Sequence, residues 1–432
     1  MHPLTQYLMY LKKLQQWGTF LSGSVLSQGL AALTGLLIVR WMTLEDYAVY
    51  TIATVVLGTI TLLTKGGTHL GFAAIVGRTW PDRMQAASAL DAALRQRRLI
   101  SAVILPVIAP ISVWLLVRNG AQVFVVATLL CLLLIYWFAD MRTRLVDQIL
   151  FFAGRASRTQ ALDTILAAIR LALVSGLHHL GMLGATAAVA AATSIALMRV
   201  PFIERWTLRE TPFKRAIKND AYFSEIRRVA VRQFPLEVFS SLQGQLIFLI
   251  IAWVGLPSQT AEFGALSRIA QLLLPVQAFI QAFAIPSFSR AKVHVGRRLC
   301  QWVAVALLPS AALLISSLIV PNAFLWLIGP QYSALKSELA ICALGVAANG
   351  VGSIALQLIG HRGWNFWAWL QIPVTLIWCL VGLTTLDFRT ITGVLWLQVG
   401  FAVGPLSALA GDILAAYARG EFRSTQPPLP TE

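Results

Sequence analysis

Three cations lie inside apolar runs of the sequence: Lys65, Arg170 and Arg268. A charge at the centre of a hydrocarbon layer costs roughly 2.5–3.5 kcal/mol on insertion scales, so each is a functional candidate by default. Their chemistry is anion contact. Arginine offers paired donors that match a carboxylate or phosphate, and lysine a point charge. Polar groups recur in these and other apolar runs: Gln28, Gln243, Gln271, and Asp163 seven residues before Arg170. Arg232, Gln233 and Glu237 open a further run. Amides suit a hydroxyl-rich ligand, whereas a buried, partly paired carboxylate such as Glu237 or Asp163 can titrate and couple ion movement. A structural reading stands beside each. Lys65 can pair with a carboxylate or reach the inner surface, and Arg170 can join an ion pair between helices. Arg268 can anchor an interface, and intramembrane glutamines also hold helices together.

The elements that position these residues follow from composition. Of 432 residues, 57% are hydrophobic and 12% charged, and the mean hydropathy is +0.72. Soluble domains carry roughly 25% charged residues, so a soluble enzyme is excluded. The net charge of +16 is spread in short clusters between apolar runs, unlike the single basic patch of a nucleic-acid binder. Runs of about 20 residues are long enough to cross the hydrocarbon as helices. Twelve are expected, at roughly 18–39, 47–77, 99–117, 120–139, 161–180, 183–203, 233–254, 262–288, 299–320, 337–360, 364–384 and 391–417. The second and eighth are long, and Gly66-Gly67 and Pro275 interrupt them.

Positive charge sets orientation. One side of the layout holds 27 of the 34 lysines and arginines, Arg78, Arg95, Arg97, Arg144, Arg199 and Arg205 among them, against Arg40, Arg118, Lys336 and Arg389 opposite. Both termini are therefore expected in the cytoplasm. Leu4, Leu8, Leu11 and Leu14 fall at helical spacing beside Lys12 and Lys13, as in a helix lying on the membrane surface. The expected organisation is an amphipathic segment 1–17, a six-helix bundle 18–203, a charged linker 204–232, a second bundle 233–417 and a tail 418–432. Cys131, Cys300, Cys342 and Cys379 sit in apolar runs without metal or redox spacing and are expected to be small core residues. No phosphate-binding loop is present, which excludes a built-in ATPase.

The two halves share a pattern. Trp41 ends the first run, with Leu44 and then Glu45-Asp46-Tyr47-Ala48 opening the next; Trp253 ends the seventh, with Leu256 and then Glu262-Phe263-Gly264. Parallel repeats of this kind build many transporters.

Five segments carry a family resemblance. Arg40-Trp41-Met42-Thr43-Leu44-Glu45-Asp46-Tyr47-Ala48-Val49-Tyr50 resembles the R-x-L-G-x-x-x-Y-G-x-Y link of the polysaccharide flippases of the MOP superfamily, with Ala48 for the usual glycine. Gly66-Gly67 through Gly71 to Arg78, Gly154-Arg155, Ile285-Pro286-Ser287-Phe288-Ser289-Arg290 and Leu327-Ile328-Gly329-Pro330-Gln331-Tyr332-Ser333-Ala334 resemble four more of its segments, in order. The resemblance, of O-antigen transporter type, implies an all-α polytopic membrane protein with about twelve helices in two six-helix bundles, as in the related MATE drug exporters. It implies alternating access and transfer of an isoprenyl-diphosphate-linked oligosaccharide across a bacterial inner membrane, without a cofactor. Membrane lipids, a polysaccharide polymerase and glycosyltransferases are the implied partners, and nucleic acid is not. A MATE-like cation exporter and a membrane polysaccharide polymerase or ligase are the alternatives. The first apolar run lacks the acid that many MATE exporters place there, and no long outer loop of the polymerase kind occurs.

The orientation is open to a direct check. A reporter fused after Arg215 is expected to read as cytoplasmic, and a periplasmic signal overturns the assignment.

Overall fold

A computed structural model describes residues 23–213, 216–280, 284, 288, 294–361, 364 and 366–420. The expected surface helix 1–17, Lys214-Arg215, most of 285–290 and the tail beyond 420 lie outside them. The described residues form helices and turns only. They group into two compact units that divide at Gly264.

In the first unit, α1 (Gly23–Trp41) turns directly into α2 (Leu44–Lys65), whose first turn is capped by the Thr43 hydroxyl accepting from the Asp46 amide. Gly66 and Gly67 both have positive φ, 45° and 71°, and end α2 before α3 (Thr68–Thr79) begins. The left-handed backbone is open to glycine without the Cβ penalty, so the expected interruption of the second run is a true break. α4 (Arg83–Arg118) starts well before its apolar run, at the Asp82 cap. Amide donation from Gln85, then Met84, holds the Asp82 carboxyl below its usual range. α5 (Val123–Phe152) ends at Gly154, again with positive φ. α6 (Ala156–His179), α7 (Ala185–Glu210), α8 (Asp220–Val254) and the start of α9 (Pro257–Ala270) complete the unit.

The part of α4 ahead of its apolar run packs through small residues, which let neighbouring backbones approach closely. Along α4, Ala86, Ala87, Ala89, Ala92 and Ala93 are fully buried, while Val103, Val107 and Ile111 are exposed. The alanine side packs with Phe72 and Ile75 of α3, Leu145 and Ile149 of α5, Ile203 of α7 and Ile226 of α8. Exposed apolar flanks of this kind suit lipid contact.

The second unit contains α10 (Leu274–Phe279), α11 (Val295–Ile319), α12 (Pro321–Ile328), α13 (Lys336–His361), α14 (Gln371–Thr385), α15 (Ile391–Gly400) and α16 (Val403–Ala418). A three-residue 3₁₀ turn at Gln271–Leu273 breaks the eighth expected run, and Pro275 sits in the first turn of α10. Its core joins Ile280, Phe288, Leu299, Leu358, Ile359 and Ala416.

Ten helical stretches among the described residues are long and apolar enough to span a membrane. The other two expected spans fall on α8, where only Gln245–Val254 is uniformly apolar, and on α9 with α10. α8 packs on α2, α3 and α4 of the first unit. Of the cysteines, Cys342 is buried as expected, but Cys131 and Cys300 are exposed on helix flanks. In an apolar surround, exposure at the helix surface is as comfortable for a thiol as the core, and apolar sequence context does not separate the two.

Both halves of the repeat fold as helix, short turn, helix. At Gly264 a Cβ would lie 2.6 Å from Thr51 Oγ1 and 2.9 Å from Thr51 Cγ2. Gly264→Ala is therefore expected to lower the unfolding temperature in detergent, at an overpacking cost of about 1–3 kcal/mol. Thr51→Ala, which removes both atoms, is expected to restore much of it. An unchanged melting temperature in Gly264→Ala would show the contact to be slack.

Candidate functional site

Two adjoining cavities open inside the first unit. The first, of about 310 Å³, is lined by Ser27 and Gln28 of α1, Tyr136, Asp140 and Arg144 of α5, Asp163 and Arg170 of α6, and Arg199 of α7. The second, of about 280 Å³, is lined by Lys65 at the end of α2, His69 of α3, Arg97 of α4, Arg144, Asp147 and Gln148 of α5, Gln160 and Asp163 of α6, and Arg199. Arg144, Asp163 and Arg199 belong to both and form the partition.

Helix geometry accounts for the wall. Asp140, Arg144 and Asp147 recur at i, i+4 and i+7, so they share one face of α5. Arg144 Nε donates to Asp140 Oδ1 at 2.8 Å. Across the bundle, Arg199 Nε donates to Asp163 Oδ1 at 2.7 Å and Nη2 to Asp163 Oδ2 at 3.3 Å. The same Nη2 donates to Asp147 Oδ2 at 2.5 Å. One guanidinium on α7 thus joins α5 to α6. Below it, Arg142 of α5 pairs with Glu204 of α7, and Arg155 after α5 pairs with Glu210 at 3.2 Å.

Several charged groups remain under-partnered. Arg97 is 1% exposed. Its Nη1 donates to the Met141 carbonyl at 3.0 Å, while Nε and Nη2 are buried without a hydrogen-bond partner among the described residues. Arg170 Nη2 reaches the Tyr50 hydroxyl at 3.4 Å, and its Nε is buried and unpaired. Asp147 Oδ1, Gln148 Oε1 and Gln28 Oε1 are buried acceptors in the same state. Buried polar groups are normally satisfied. Unsatisfied donors and acceptors in residues that line two cavities mark this as the polar region of the first unit.

The residues singled out in the sequence fall into three groups. Gln28, Asp163 and Arg170 come together in the first cavity and Lys65 joins the second. Gln28 also donates to Ser24 Oγ at 3.0 Å, one turn back. Arg268 and Gln271 lie in the second unit, half-buried, and line neither cavity; Gln243 is half-buried on α8 and also lines neither. Arg232 and Glu237 fall on α8, but their side chains lie outside the described residues. Asp163 pairs with Arg199 of α7, while Arg170 reaches the Tyr50 hydroxyl of α2.

Arg97, Arg144 and Arg199 are the residues that sequence reasoning misplaced. They count there among the cations that set topology, because each lies near the end of an apolar run. The structure places them on helices that extend past those ends and turns them inward. The Asp140–Arg144–Asp147 spacing was a usable signal, since charged residues at helical spacing in so acid-poor a chain mark a polar face.

No protein-family model and no curated protein matches the sequence. Solved structures do match its fold. A multidrug resistance MATE family transporter of the MOP superfamily, inward-facing, aligns with a TM-score of 0.68 at 17% identity, over 92% of this chain and 96% of that one. An outward-facing structure of the same description aligns at 0.63 and 15% identity, over 94% and 96%. Lipid II flippase MurJ, inward closed, aligns at 0.67 and 12% identity, over 92% and 87%. The protein is thus a multi-pass membrane protein with the fold of MOP-superfamily transporters. Its structural neighbours are transporters and a flippase, not enzymes.

The partition makes a stability prediction. Arg199→Ala leaves two carboxylates facing each other unpaired, and breaking a buried pair costs on the order of 3 kcal/mol. Its melting temperature in detergent is expected to drop. Arg199→Ala combined with Asp147→Asn and Asp163→Asn is expected to melt higher than Arg199→Ala alone. If the combined variant melts lower, the carboxylates are not held by Arg199.

Proposed function

We propose that the protein moves an isoprenyl-diphosphate-linked oligosaccharide from the inner to the outer leaflet of a bacterial inner membrane by alternating access, for surface polysaccharide synthesis. The observation that carries this is the sign of the cavity lining. Lys65, Arg97, Arg144, Arg170 and Arg199 face the two cavities against Asp140, Asp147 and Asp163. All three carboxylates are already engaged by arginine. An anionic diphosphate finds complementary charge there, and Gln28, Gln148 and Gln160 suit an attached sugar. The likeness to a lipid II flippase supports a lipid-linked substrate, and the resemblance of the sequence segments supports the O-antigen type. In this reading both termini and the 204–232 linker are cytoplasmic, and the halves 18–203 and 233–417 alternate in exposing the cavity. Arg268 and Gln271, with Gln243 and Arg232 of α8, are proposed as further contacts, and Glu237 of α8 as a coupling group.

The MATE likeness supports a second reading, a cation-coupled multidrug exporter. It requires a carboxylate available to a cation, and Asp140, Asp147 and Asp163 are each held by an arginine.

Deletion is expected to leave the lipid-linked intermediate on the inner leaflet. Accumulation on the outer leaflet would favour a polymerase instead. Susceptibility to a panel of cationic drugs is expected to be unchanged. Lys65→Ala and Arg170→Ala are each expected to cut transport by about 10- to 100-fold with normal membrane insertion, the loss of one charge-assisted contact. Wild-type transport in both, and in the double variant, removes them from the site.

A further inference from the structure

Arg199 stands between the cavities, and any anion that moves from the Arg170 side to the Arg97 side passes it. It is not available as it stands. Asp163 occupies its Nε edge through both carboxylate oxygens, and Asp147 takes Nη2. A carboxylate and a phosphoryl group present the same spacing of oxygens to a guanidinium. The two aspartates therefore fill the place that an anionic ligand would take.

We propose that Asp147 and Asp163 are built-in substitute anions on Arg199. An incoming phosphoryl-type anion displaces them, and the displaced carboxylates bind protons from solvent. This rests on the anionic-substrate reading above and adds a regulatory element to it. The exchange keeps Arg199 paired in both the empty and the loaded protein, so neither state leaves a bare guanidinium between apolar helices. A carboxylate stripped of its cation in such a site binds a proton and does not stay charged. Asp147 Oδ1 is already a buried oxygen without a hydrogen-bond partner among the described residues, and burial of an unpaired carboxylate favours its neutral form. Buried guanidinium nitrogens without a hydrogen-bond partner among the described residues flank the exchange point. Arg170 Nε lies on one side, and Arg97 Nε and Nη2 on the other.

The surrounding charges bear on the proton count. Tyr136, Asp140 and Arg144 face the pair from α5, Arg170 from α6, Lys65 from α2, His69 from α3 and Arg97 from α4. α1 contributes only Ser27, Gln28 and Ala31 to the lining. Glu204 of α7 is held by Arg142. Arg144 is committed to Asp140, so a displaced carboxylate does not simply trade Arg199 for it. His69 is the lining group whose ordinary titration range lies near neutrality, and the test must separate it from the aspartates.

Sulfate is the probe, because it carries a constant charge of two between pH 6 and 8. Its affinity for purified full-length protein in lipid nanodiscs is measured by calorimetry at constant ionic strength. One linked proton raises affinity by up to about tenfold per unit fall in pH. Wild type is expected to bind sulfate at least tenfold more tightly at pH 6 than at pH 8, and His69→Gln is expected to keep that slope. Asp147→Asn/Asp163→Asn is expected to bind at pH 8 about as tightly as wild type at pH 6, with the slope nearly gone. Should the double variant not fold, Asp163→Asn alone is expected to raise pH 8 affinity and flatten the slope. Undetectable binding in wild type and variants, a pH-independent wild type, or a slope that the Asn variants retain would each overturn the proposal. Oligosaccharide transport is scored separately. Linked sulfate binding without such transport would overturn the proposed substrate alone, and transport without linkage would overturn the exchange alone.

Discussion

A guanidinium enclosed by apolar helices must be paired, and the pairing of Arg199 is the constraint around which the first unit is arranged. Its partners come from two other helices, Asp147 on α5 and Asp163 on α6. Each helix can satisfy the arginine only at one rotation and one height, so three registers are specified by one group. Such a pair adds little net stability by itself, because removing the charges from water offsets much of their attraction. Its structural effect is on specificity. A helix that slipped by one residue would leave a charge facing hydrocarbon.

The cavities follow from the same constraint. Apolar side chains on α3, α4, α5 and α7 close against one another around Phe72, Leu90, Leu145 and Ile203. Charged side chains cannot close in this way, since their remaining donors and acceptors need polar neighbours. Space therefore persists along the line from Arg170 through Arg199 to Arg97, while the neighbouring layer packs tightly on small residues. The alanine-rich face of α4 and the break at Gly66-Gly67 serve that arrangement together. The first brings α4 close to its neighbours, and the second ends α2 where Lys65 meets the second cavity.

Legibility in the sequence followed the range of the interaction. The turn after Trp41, the glycine break after Lys65 and the 3₁₀ interruption near Pro275 are local events, set by caps and by backbone freedom at a few residues, and they could be read directly. Lys65, Arg170, Gln28 and Asp163 stood out because they interrupt apolar runs. Arg97, Arg144 and Arg199 did not, because a cation near the end of a run has the same sequence context whether it meets headgroups or an interior cavity. The difference is made by the length of the helix and its rotation. α4 begins at the Asp82 cap, far ahead of its apolar stretch; the cap is a local signal, but the inward rotation of Arg97 rests on tertiary packing that no local window contains.

The fold leaves the sign of a ligand's charge open, since a multidrug resistance MATE family transporter and the lipid II flippase MurJ align with this chain almost equally well. The choice has to come from side chains, and at these distances sign matters more than shape. A cation entering the first cavity would meet Arg144, Arg170 and Arg199, with Asp140 and Asp163 already neutralised by arginine. To bind there it would have to outcompete a tethered guanidinium for each carboxylate. An anion faces the mirror problem at Arg199 and at Arg144, which Asp140 holds, but Arg97 and Arg170 carry guanidinium nitrogens that no group among the described residues engages. The asymmetry favours the anion at Arg97 and Arg170, where a cation finds no carboxylate and an anion displaces none.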